Sequence, residues 1–395
     1  MITVIKHLGE IAEVAAGQCA PQGSQWYGKE GRPFIRAGSL DFLCNGGSEK
    51  ECECVSEQTA KMYGLRLFPQ NTILFAKSGM SAKIGRVYRL KTDCYVVNHL
   101  AAIIPGKSIY PQFLERWLDK HPPSHLIPND AYPSMRLSEI KNITICLPTL
   151  IKQKRIATIL EKADSIVRKR QHAIALTDQF LRSEFIQIFG DPVLNPKAWI
   201  EKPLNSISQI VSGVTKGRRF NGNKTVSVPY MRVANVQDGF INLDDVQQIE
   251  ALESEIKTFQ LIEGDILLTE GGDPDKLGRG AVWKGQISPC IHQNHIFRVR
   301  VDRSIILPEY LSFLIGSQRG KRYFLQAAKQ TTGVASINKT QLSRFPALVP
   351  PMEKQKAFLA ILKKTEIIKN KLNLKLNLAN NLFQSLSQRA FSGEL

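Results

Sequence analysis

The chain has 395 residues, and its 53 Lys and Arg against 35 Asp and Glu give a formal net charge of +18 at pH 7. Hydrophobic residues form 43% of the sequence, which is enough for folded cores and excludes a wholly disordered protein. No apolar run reaches the roughly 18 residues that a membrane-spanning helix needs. The length predicts two or three domains.

The amino-terminal segment and the cysteines both predict a cytoplasmic protein. Residues 1–10 lack the basic and then apolar pattern of a secretory signal. The seven cysteines are an odd number spread over a long chain, as expected of unpaired thiols. The charge is spread as well, because residues 1–147, 148–190, 191–348 and 349–395 carry +4, +4, +5 and +5. This even spread excludes a disordered basic tail. The sign of the charge suggests a polyanion partner, but charge alone does not choose among nucleic acid, an anionic membrane and solubility.

Residues 1–147 are predicted to form a first globular domain of mixed strands and helices. The apolar run 73–76 is followed by a turn that contains glycine, which is typical of a buried strand. Residues 111–118 begin with Pro and continue with helical periodicity, so a short helix is expected there.

Residues 148–190 are predicted to form a long helix, because positions 151–189 contain neither Pro nor Gly. A helix of this length measures about 58 Å. The segment Gly190-Asp191-Pro192 ends it. An apolar stripe recurs at every seventh residue, at Leu160, Val167, Ile174, Leu181 and Ile188. Such a repeat requires a partner helix.

The second half of the chain repeats the first at an offset of about 196 to 202 residues. Residues 191–348 match the first domain and residues 349–395 match its helix. The matched pairs include Pro33-Phe34-Ile35-Arg36 with Pro229-Tyr230-Met231-Arg232, Lys83-Ile84-Gly85-Arg86 with Lys276-Leu277-Gly278-Arg279, Asn98-His99 with Asn294-His295, and Lys152-Gln153-Lys154 with Lys354-Gln355-Lys356.

The duplication defines the fold class that we expect. It is an α+β chain with two similar mixed α/β domains, separated by two long antiparallel coiled-coil helices, in an internal pseudo-twofold repeat. The simplest partner for each long helix is the other one, and packing between them is the main role expected for their apolar stripes.

Motifs for catalysis or metal binding are not recognisable in the sequence. Gly106-Lys107-Ser108 has the end of a phosphate-binding loop but lacks its first glycine, and Asn195-Pro196-Lys197 lacks the second Pro and the aromatic residue of an amino-methyltransferase motif. Cys44, Cys52 and Cys54 do not have a common zinc spacing. We therefore expect no catalytic residue and no metal site on this chain.

Loops that join basic or amide residues to glycine recur in both copies. Glycine allows the backbone to approach a phosphate, Lys and Arg neutralise phosphates, and Arg and Asn can read base edges. For His99 and His295, a structural role and a DNA contact both remain open. The candidate DNA-binding residues are Arg36, Lys77, Ser78, Lys83, Arg86, Asn98, His99, Ser134 and Arg136 in the first copy, and Lys216, Arg218, Arg219, Arg232, Lys276, Arg279, Asn294, His295, Ser336, Asn338 and Lys339 in the second.

The whole chain resembles the specificity (S) subunit of type I restriction–modification systems. The resemblance is carried by the duplicated plan and by residues 228–236, 264–268, 293–295 and 348–355. In that family a Glu-Gln pair usually follows Pro-Pro-Leu at the start of the helix, whereas Lys152 and Lys354 stand at the Glu position here.

The resemblance implies a function for each segment. Each globular part would be a target recognition domain that reads one half of a bipartite double-stranded DNA site, and the paired helices would fix the spacer between the halves. The helices would also dock two methyltransferase subunits, which restriction subunits then join. AdoMet, ATP and Mg would be bound by those partners, and this chain would bind no cofactor. The candidate partner-binding residues are Lys152, Gln153, Lys154, Lys354, Gln355 and Lys356.

Two other classes of function remain open at this point. The first is a single-chain restriction or modification enzyme, which the missing motifs oppose. The second is a coiled-coil scaffold or a membrane-surface protein, although the basic residues are not collected on one face of an amphipathic helix.

Overall fold

The computed structural model describes residues 4–220, 222–272, 277–331 and 334–395. The chain divides into two compact units, one of residues 1–172 with 373–395 and one of residues 173–372. The division falls inside both long helices, so each unit contains one globular domain and half of each helix.

The first unit contains mixed strands and short helices. Its strands are β1 (Val4–His7), β2 (Ala12–Ala16), β3 (Arg32–Ile35), β4 (Cys54–Val55), β5 (Leu67–Phe68), β6 (Ile73–Ala76), β7 (Val87–Arg89), β8 (Cys94–Val96), β9 (Leu100–Pro105) and β10 (Thr144–Leu147). Its short helices are α1 (Leu8–Ile11), α2 (Ser39–Cys44), α3 (Glu57–Met62), α4 (Met80–Ile84), α5 (Pro111–Lys120) and α6 (Leu137–Lys141), with 3-10 turns at Ser24–Trp26, Glu49–Glu51 and Pro123–Leu126.

Two four-stranded sheets and one strand pair build the first domain, in the orders β2-β9-β6-β7, β4-β3-β8-β5 and β1-β10. Strand β6 lies inside its sheet, with Ile73 opposite Ile103 of β9 and Arg89 of β7. All four residues of β6 are buried, which explains why its sequence is continuously apolar rather than alternating.

The first long helix, α7 (Leu150–Phe189), connects to the second domain. The strands that follow are β11 (Ile200–Pro203), β12 (Ser208–Ser212), β13 (Val226–Met231), β14 (Gln247–Ala251), β15 (Ile266–Thr269), β16 (Gly271–Gly272), β17 (Gly280–Val282), β18 (Ile291–His292), β19 (Ile296–Val301), β20 (Lys329–Thr331), β21 (Val334–Ser336) and β22 (Pro346–Val349). The helices are α8 (Glu253–Phe259), α9 (Pro308–Gly316), α10 (Gln318–Ala327), α11 (Lys339–Ser343) and the second long helix α12 (Met352–Phe391), with 3-10 turns at Leu204–Ser206 and Val233–Asn235.

The strand orders of the second domain repeat those of the first. The sheet β12-β19-β15-β17 corresponds to β2-β9-β6-β7, the pair β11-β22 corresponds to β1-β10, and β14-β13-β18 corresponds to β4-β3-β8. Strands β3 and β8 pair in parallel, and so do β13 and β18. The predicted fold class, with two similar mixed α/β domains from an internal repeat, is therefore confirmed. The second domain has in addition the sheet β16-β21-β20 and helix α10.

The two long helices run antiparallel within the second unit. Lys369 donates to the Asp178 carboxylate at 2.6 Å, while the Phe358 ring packs on Phe185 and Phe189 with centroids 5.4 and 5.7 Å apart. As one helix advances from residue 178 to 189, its partner therefore runs back from 369 to 358. In the first unit Leu160 and Ala390 belong to one buried core.

The predicted seven-residue stripe on α7 faces the packed side, because Leu160 and Leu181 are buried and Val167, Ile174 and Ile188 are half-buried. Other apolar residues of the long helices remain exposed in the two units. They are Leu150, Ile151, Ile166, Leu176, Phe180 and Ile186 on α7, and Ile367, Ile368, Leu374, Leu378 and Leu382 on α12.

A buried glutamine fastens the start of each long helix to its own domain. The Gln153 side-chain oxygen accepts from the Tyr110 N–H at 2.7 Å, and its nitrogen donates to the carbonyls of Ser108 at 3.1 Å and Pro148 at 2.8 Å. Tyr110 immediately precedes helix α5, so this amide satisfies a backbone donor at the start of that helix.

The second copy repeats this arrangement group for group. The Gln355 side-chain oxygen accepts from the Leu307 N–H at 2.8 Å, and its nitrogen donates to the carbonyls of Ile305 at 3.1 Å and Pro350 at 2.8 Å. Leu307 precedes α9. Both glutamines are 0% exposed, so water cannot replace these bonds.

The interior of the second domain contains a histidine. His292 is fully buried, with Nδ1 3.2 Å from the Phe259 carbonyl and Nε2 3.3 Å from the Val211 carbonyl. Burial lowers the pKa of His292 from 6.5 to about 4, although the two carbonyls act in the opposite direction. The position that matches His292 in the first domain is Val96, which is also buried.

We expect Gln355→Leu to lower the free energy of unfolding of the second unit by about 3 kcal/mol, because it leaves one buried N–H and two carbonyls without their partner. Urea denaturation measures the loss, and hydrogen exchange at the Leu307 amide localises it. The exposed neighbour supplies the control, since Lys354→Leu should change stability by less than about 0.5 kcal/mol. Equal effects of the two substitutions would show that the amide bonds are unimportant.

We expect the stability of the second unit to fall as the pH is lowered from 6.5 towards 4. Between pH 6.5 and pH 4 His292 is protonated in the unfolded chain but stays neutral in the folded chain. Protonation of the unfolded chain lowers the free energy of unfolding by about 3 kcal/mol across this window. Below pH 4 both forms are protonated, so His292 causes no further loss of stability. Denaturation at pH 7 and pH 4.5 should show a smaller pH dependence for His292→Val, which installs the residue of the matching position. An equal pH dependence in both proteins would contradict the assignment.

Candidate nucleic-acid interface

Three loops meet at one place in the first domain. They follow β6, link β8 to β9, and precede α6. The Lys77 N–H donates to the His99 carbonyl at 2.9 Å, and the Met135 N–H donates to the Lys77 carbonyl at 2.8 Å. Ser78 and Ser134 form an isolated β-bridge. Predicted site residues that are distant in the sequence are therefore neighbours, and we call this place the loop junction.

The second domain has the same loop junction. The Glu270 N–H donates to the His295 carbonyl at 3.0 Å, and the Ile337 N–H donates to the Glu270 carbonyl at 2.8 Å. Gly271 pairs with Ser336 where the first domain has the bridge between its two serines. The backbone bonds thus match one for one, which fixes the equivalence of residues between the copies independently of side-chain identity.

A fourth segment joins each junction, and a glycine makes its close approach possible. The Asn98 N–H donates to the Gln18 carbonyl at 2.8 Å, and the Asn294 N–H donates to the Val214 carbonyl at 2.9 Å. The residue before Gln18 is Gly17, and the residue before Val214 is Gly213. A Cβ on Gly17 would lie 2.1 Å from the Val96 carbonyl oxygen, and one on Gly213 would lie 1.8 Å from the His292 carbonyl oxygen, so no larger residue fits.

The imidazoles of the two junctions have different partners. The His99 Nδ1 lies 2.8 Å from the Ser78 hydroxyl, and the His295 Nδ1 lies 2.6 Å from a carboxylate oxygen of Glu270. Both rings are exposed. Each histidine is thus held through Nδ1 within its own domain and still presents its ring to solvent, so the structural role and the contact role considered from the sequence are compatible.

Some junction positions carry the same residue in both copies and others do not. The first class is Asn98 with Asn294, His99 with His295 and Ser134 with Ser336; the second is Lys77 with Glu270 and Arg136 with Asn338. Arg136 and Asn338 are exposed, and each directly precedes a short helix, α6 or α11. Lys339 is exposed as the first residue of α11. The junction therefore combines shared hydrogen-bonding groups with variable charge.

Several other predicted DNA-binding residues pair with side chains of their own domain. Arg36 contacts Glu53 at 2.9 Å and stacks over the Tyr27 ring, and Arg232 contacts Asp245 at 2.6 Å. The remaining pairs of this kind are Lys83 with Asp130, Arg86 with Asp41, Arg218 with Glu255 and Arg279 with Gln237. Arg86 and Arg279 are equivalent, and each contacts the residue five positions after the matched Arg36 or Arg232, namely Asp41 or Gln237.

The basic turn of the second copy follows the fourth segment directly. Val214 belongs to the junction, and Lys216 and Arg219 two to five residues later are exposed. The matching segment of the first copy, residues 19–23, has no charged residue. Lys276 lies outside the described residues.

The structure corrects the prediction that the glutamines of the long helices bind a partner. Gln153 and Gln355 are completely buried because all three of their hydrogen bonds go to backbone groups of their own domain. Lys154, Lys354 and Lys356 are exposed and Lys152 is half-buried, so these four remain candidates for contact with a partner.

Among the described residues, no group of three or more His, Cys, Asp or Glu side chains is arranged to hold a metal ion. The seven cysteines are free thiols. Burial raises the pKa of Cys44 to about 11 and the pKa of Cys94 to about 12, so neither thiol is prepared to act as a thiolate ligand or nucleophile.

One junction residue was missed by the selection of basic and amide side chains. Glu270 occupies the position of Lys77 in the second domain, and a search for basic and amide residues does not find it because its side chain is acidic. The matching backbone bonds show that it shares the site.

Comparison with known proteins gives a consistent result over most of the chain. Residues 3–176 and 196–378 match the family model described as type I restriction modification DNA specificity domain. The chain is 23% identical over 390 residues to the type I restriction enzyme EcoKI specificity subunit of Escherichia coli (strain K12), covering 92% of this chain and 82% of that protein. It is 22% identical over 386 residues to the StySPI specificity subunit of Salmonella potsdam, with the same coverage.

Solved structures show the same fold. The type I restriction–modification S subunit from M. genitalium superposes with a TM-score of 0.57 at 12% identity, covering 99% of this chain and 96% of that one. A structure described in terms of complex assembly and conformational transition of the type I R-M system gives 0.56 at 15% identity, with 99% and 98% coverage. Among the described residues, no helix has the length and apolar character that crossing a bilayer requires.

The two matched segments cover most of the chain and coincide with the two copies of the repeat, each of which carries one loop junction. The chain therefore belongs to the type I restriction–modification DNA specificity family.

Proposed function

We propose that this chain is the subunit that gives a type I restriction–modification enzyme its DNA specificity, and that it performs no catalysis itself. The observation that carries the proposal is the loop junction, which is built twice on the same backbone bonds and bears different side chains in the two copies. One frame with two sets of side chains suits the recognition of two unlike half-sites of one bipartite DNA target.

The interaction with DNA follows from the groups at the junctions. Their amide, imidazole and hydroxyl groups are hydrogen-bond partners for phosphates and base edges. Exposed cations near them, Arg136 in the first domain and Lys216, Arg219 and Lys339 in the second, supply attraction for the phosphate backbone. We assign the paired residues Arg86 and Arg279 to stabilisation of their own domains rather than to base contacts, because each contacts a side chain at an equivalent position, Asp41 or Gln237.

The helices supply the spacing and the docking surface in this proposal. Each is a continuous 40-residue helix, about 60 Å long, and each has in its first turn a glutamine that is bonded to its own domain. The exposed apolar residues of α7 and α12 favour the docking of partner helices, because exposed Ile, Leu and Phe on a helical surface are typical of interfaces. The partners that we propose are two methyltransferase subunits and restriction subunits, with AdoMet, ATP and Mg bound on those chains, and a cytoplasmic site of action.

Methylome sequencing of a host that expresses this chain with its methyltransferase subunits tests the proposal. We expect methylation at one asymmetric bipartite motif, with a fixed number of unspecified base pairs between its halves. Replacing residues 1–147 with the corresponding domain of another family member should change one half of the motif and leave the other. Methyl transfer by the purified chain alone, or methylation without a bipartite motif, would contradict it.

We expect that inserting four residues, about one helical turn, into both long helices lengthens the unspecified spacer and leaves both half-sites intact. The insertion adds about 6 Å of helix, against 3.4 Å of rise per base pair, so a change of one to two base pairs is anticipated. Suitable positions are the boundaries between residues 172 and 173 and between residues 372 and 373. Altered half-sites with an unchanged spacer would show that the helices do not set the distance.

A further inference from the structure

One position of the loop junction carries opposite charges in the two domains. Lys77 and Glu270 are equivalent, because each donates its N–H to the carbonyl of the matched histidine and each accepts from the residue after the matched serine. Both side chains are half-buried at the junction. The same place in the two frames thus presents an ammonium group in one domain and a carboxylate in the other.

The two groups have opposite hydrogen-bonding capacity. A lysine ammonium only donates, whereas an ionised carboxylate only accepts. In the major groove, guanine and thymine offer only acceptors, cytosine offers an exocyclic amine as donor, and adenine offers an amine donor beside its N7 acceptor. A lysine and a glutamate at one position therefore favour different bases.

Binding to the phosphate backbone does not explain the glutamate. A residue that served only to attract phosphates would be basic in both copies, because phosphates repel a carboxylate. The second domain instead has exposed cations elsewhere, at Lys216 and Arg219 in the turn after Val214, where the first domain has an uncharged segment. These cations can attract the DNA phosphate backbone without a contribution from position 270. Position 270 can therefore contribute to the choice of base.

The contact with His295 leaves part of the hydrogen-bonding capacity of the Glu270 carboxylate unused. The imidazole Nδ1 takes up one oxygen of Glu270 at 2.6 Å. A carboxylate has about four lone-pair sites on its two oxygens, so acceptor capacity remains for a base. The histidine fixes the orientation of the carboxylate, as preorganised recognition requires.

We propose that the position shared by Lys77 and Glu270 reads one base in each half-site with opposite polarity. Lys77 selects a base that presents acceptors and no amine, guanine or thymine, and Glu270 selects a base that presents an amine, cytosine or adenine. This inference rests on the proposed function, in that both junctions face DNA, and it adds which residue discriminates and what kind of base each domain requires there.

The test is methylome sequencing of cells that carry the wild-type methyltransferase subunits with the full-length wild-type chain or its E270K variant. We expect E270K to change the preferred base at one position of the half-site read by the second domain by about tenfold, from a base with an amine to one with an acceptor. The other half-site should be unchanged. The reciprocal variant K77E should change one position of the other half-site only.

A matched control separates base reading from loss of charge. K216E also replaces an exposed lysine of the second domain by glutamate, and we expect it to reduce methylation of all sites without changing the motif. If E270K prevents methylation altogether, the E270Q variant is used in its place to test whether position 270 reads a base. Glutamine keeps the shape of the side chain but can donate as well as accept hydrogen bonds. A broadened preference at one position then supports the proposal.

The overturning results are distinct from a failure of the proposed function. If wild-type protein gives a bipartite motif and E270K or E270Q gives the same motif, at full or uniformly reduced level, position 270 does not read a base. If wild-type protein gives no bipartite motif, the proposed function itself fails. An unchanged motif with K77E would overturn the assignment for the first domain.

Discussion

A buried amide at the start of each long helix is the contact on which the architecture depends. The side chains of Gln153 and Gln355 each bind one backbone N–H and two backbone carbonyls. Buried backbone groups of this kind need a hydrogen-bond partner, which the glutamine supplies. The bonded N–H precedes a second, shorter helix, α5 or α9, so the amide sets two helices against one another. Each amide therefore helps to set the direction in which its long helix leaves the domain, together with apolar residues of the same helix, such as Leu160 and Phe358, that belong to the domain cores.

The sequence predicts the parts of this fold that are encoded by residue type at regular spacing. The seven-residue stripe of α7, the Pro at the start of α5 and α9, and the collinear repeat are all of this kind, and the structure has each of them. Gln153 and Gln355 could not be placed in this way, because a glutamine between two lysines has the composition of a solvent-exposed surface. Only the tertiary contact with the loop before α5 or α9 shows that they are buried.

The candidate site also has residues that the sequence locates and contacts that only the structure shows. The matched Asn-His and Ser residues could be located from the repeat alone, since identity at equivalent positions needs no structure. The sequence could not show which arginines form ion pairs within their own domain. The partners Asp41 and Glu53 are distant in sequence from Arg86 and Arg36. The net charge of +18 is thus a poor guide to individual contacts: several cations stabilise loops, while an anion, Glu270, occupies a junction.

The way in which the long helices are shared between the units has a consequence for ancestry. The core of the first unit includes Phe383 and Ala390 from the second copy, and the core of the second unit includes Phe185 and Phe189 from the first. A polypeptide with a single copy would have a domain and a helix, but not the helix half that completes its core. It would obtain that half by self-association into a homodimer with two identical readers, whose target would be an inverted repeat. Fusion of two such genes would then release each reader to diverge, so that a palindrome gives way to an asymmetric target.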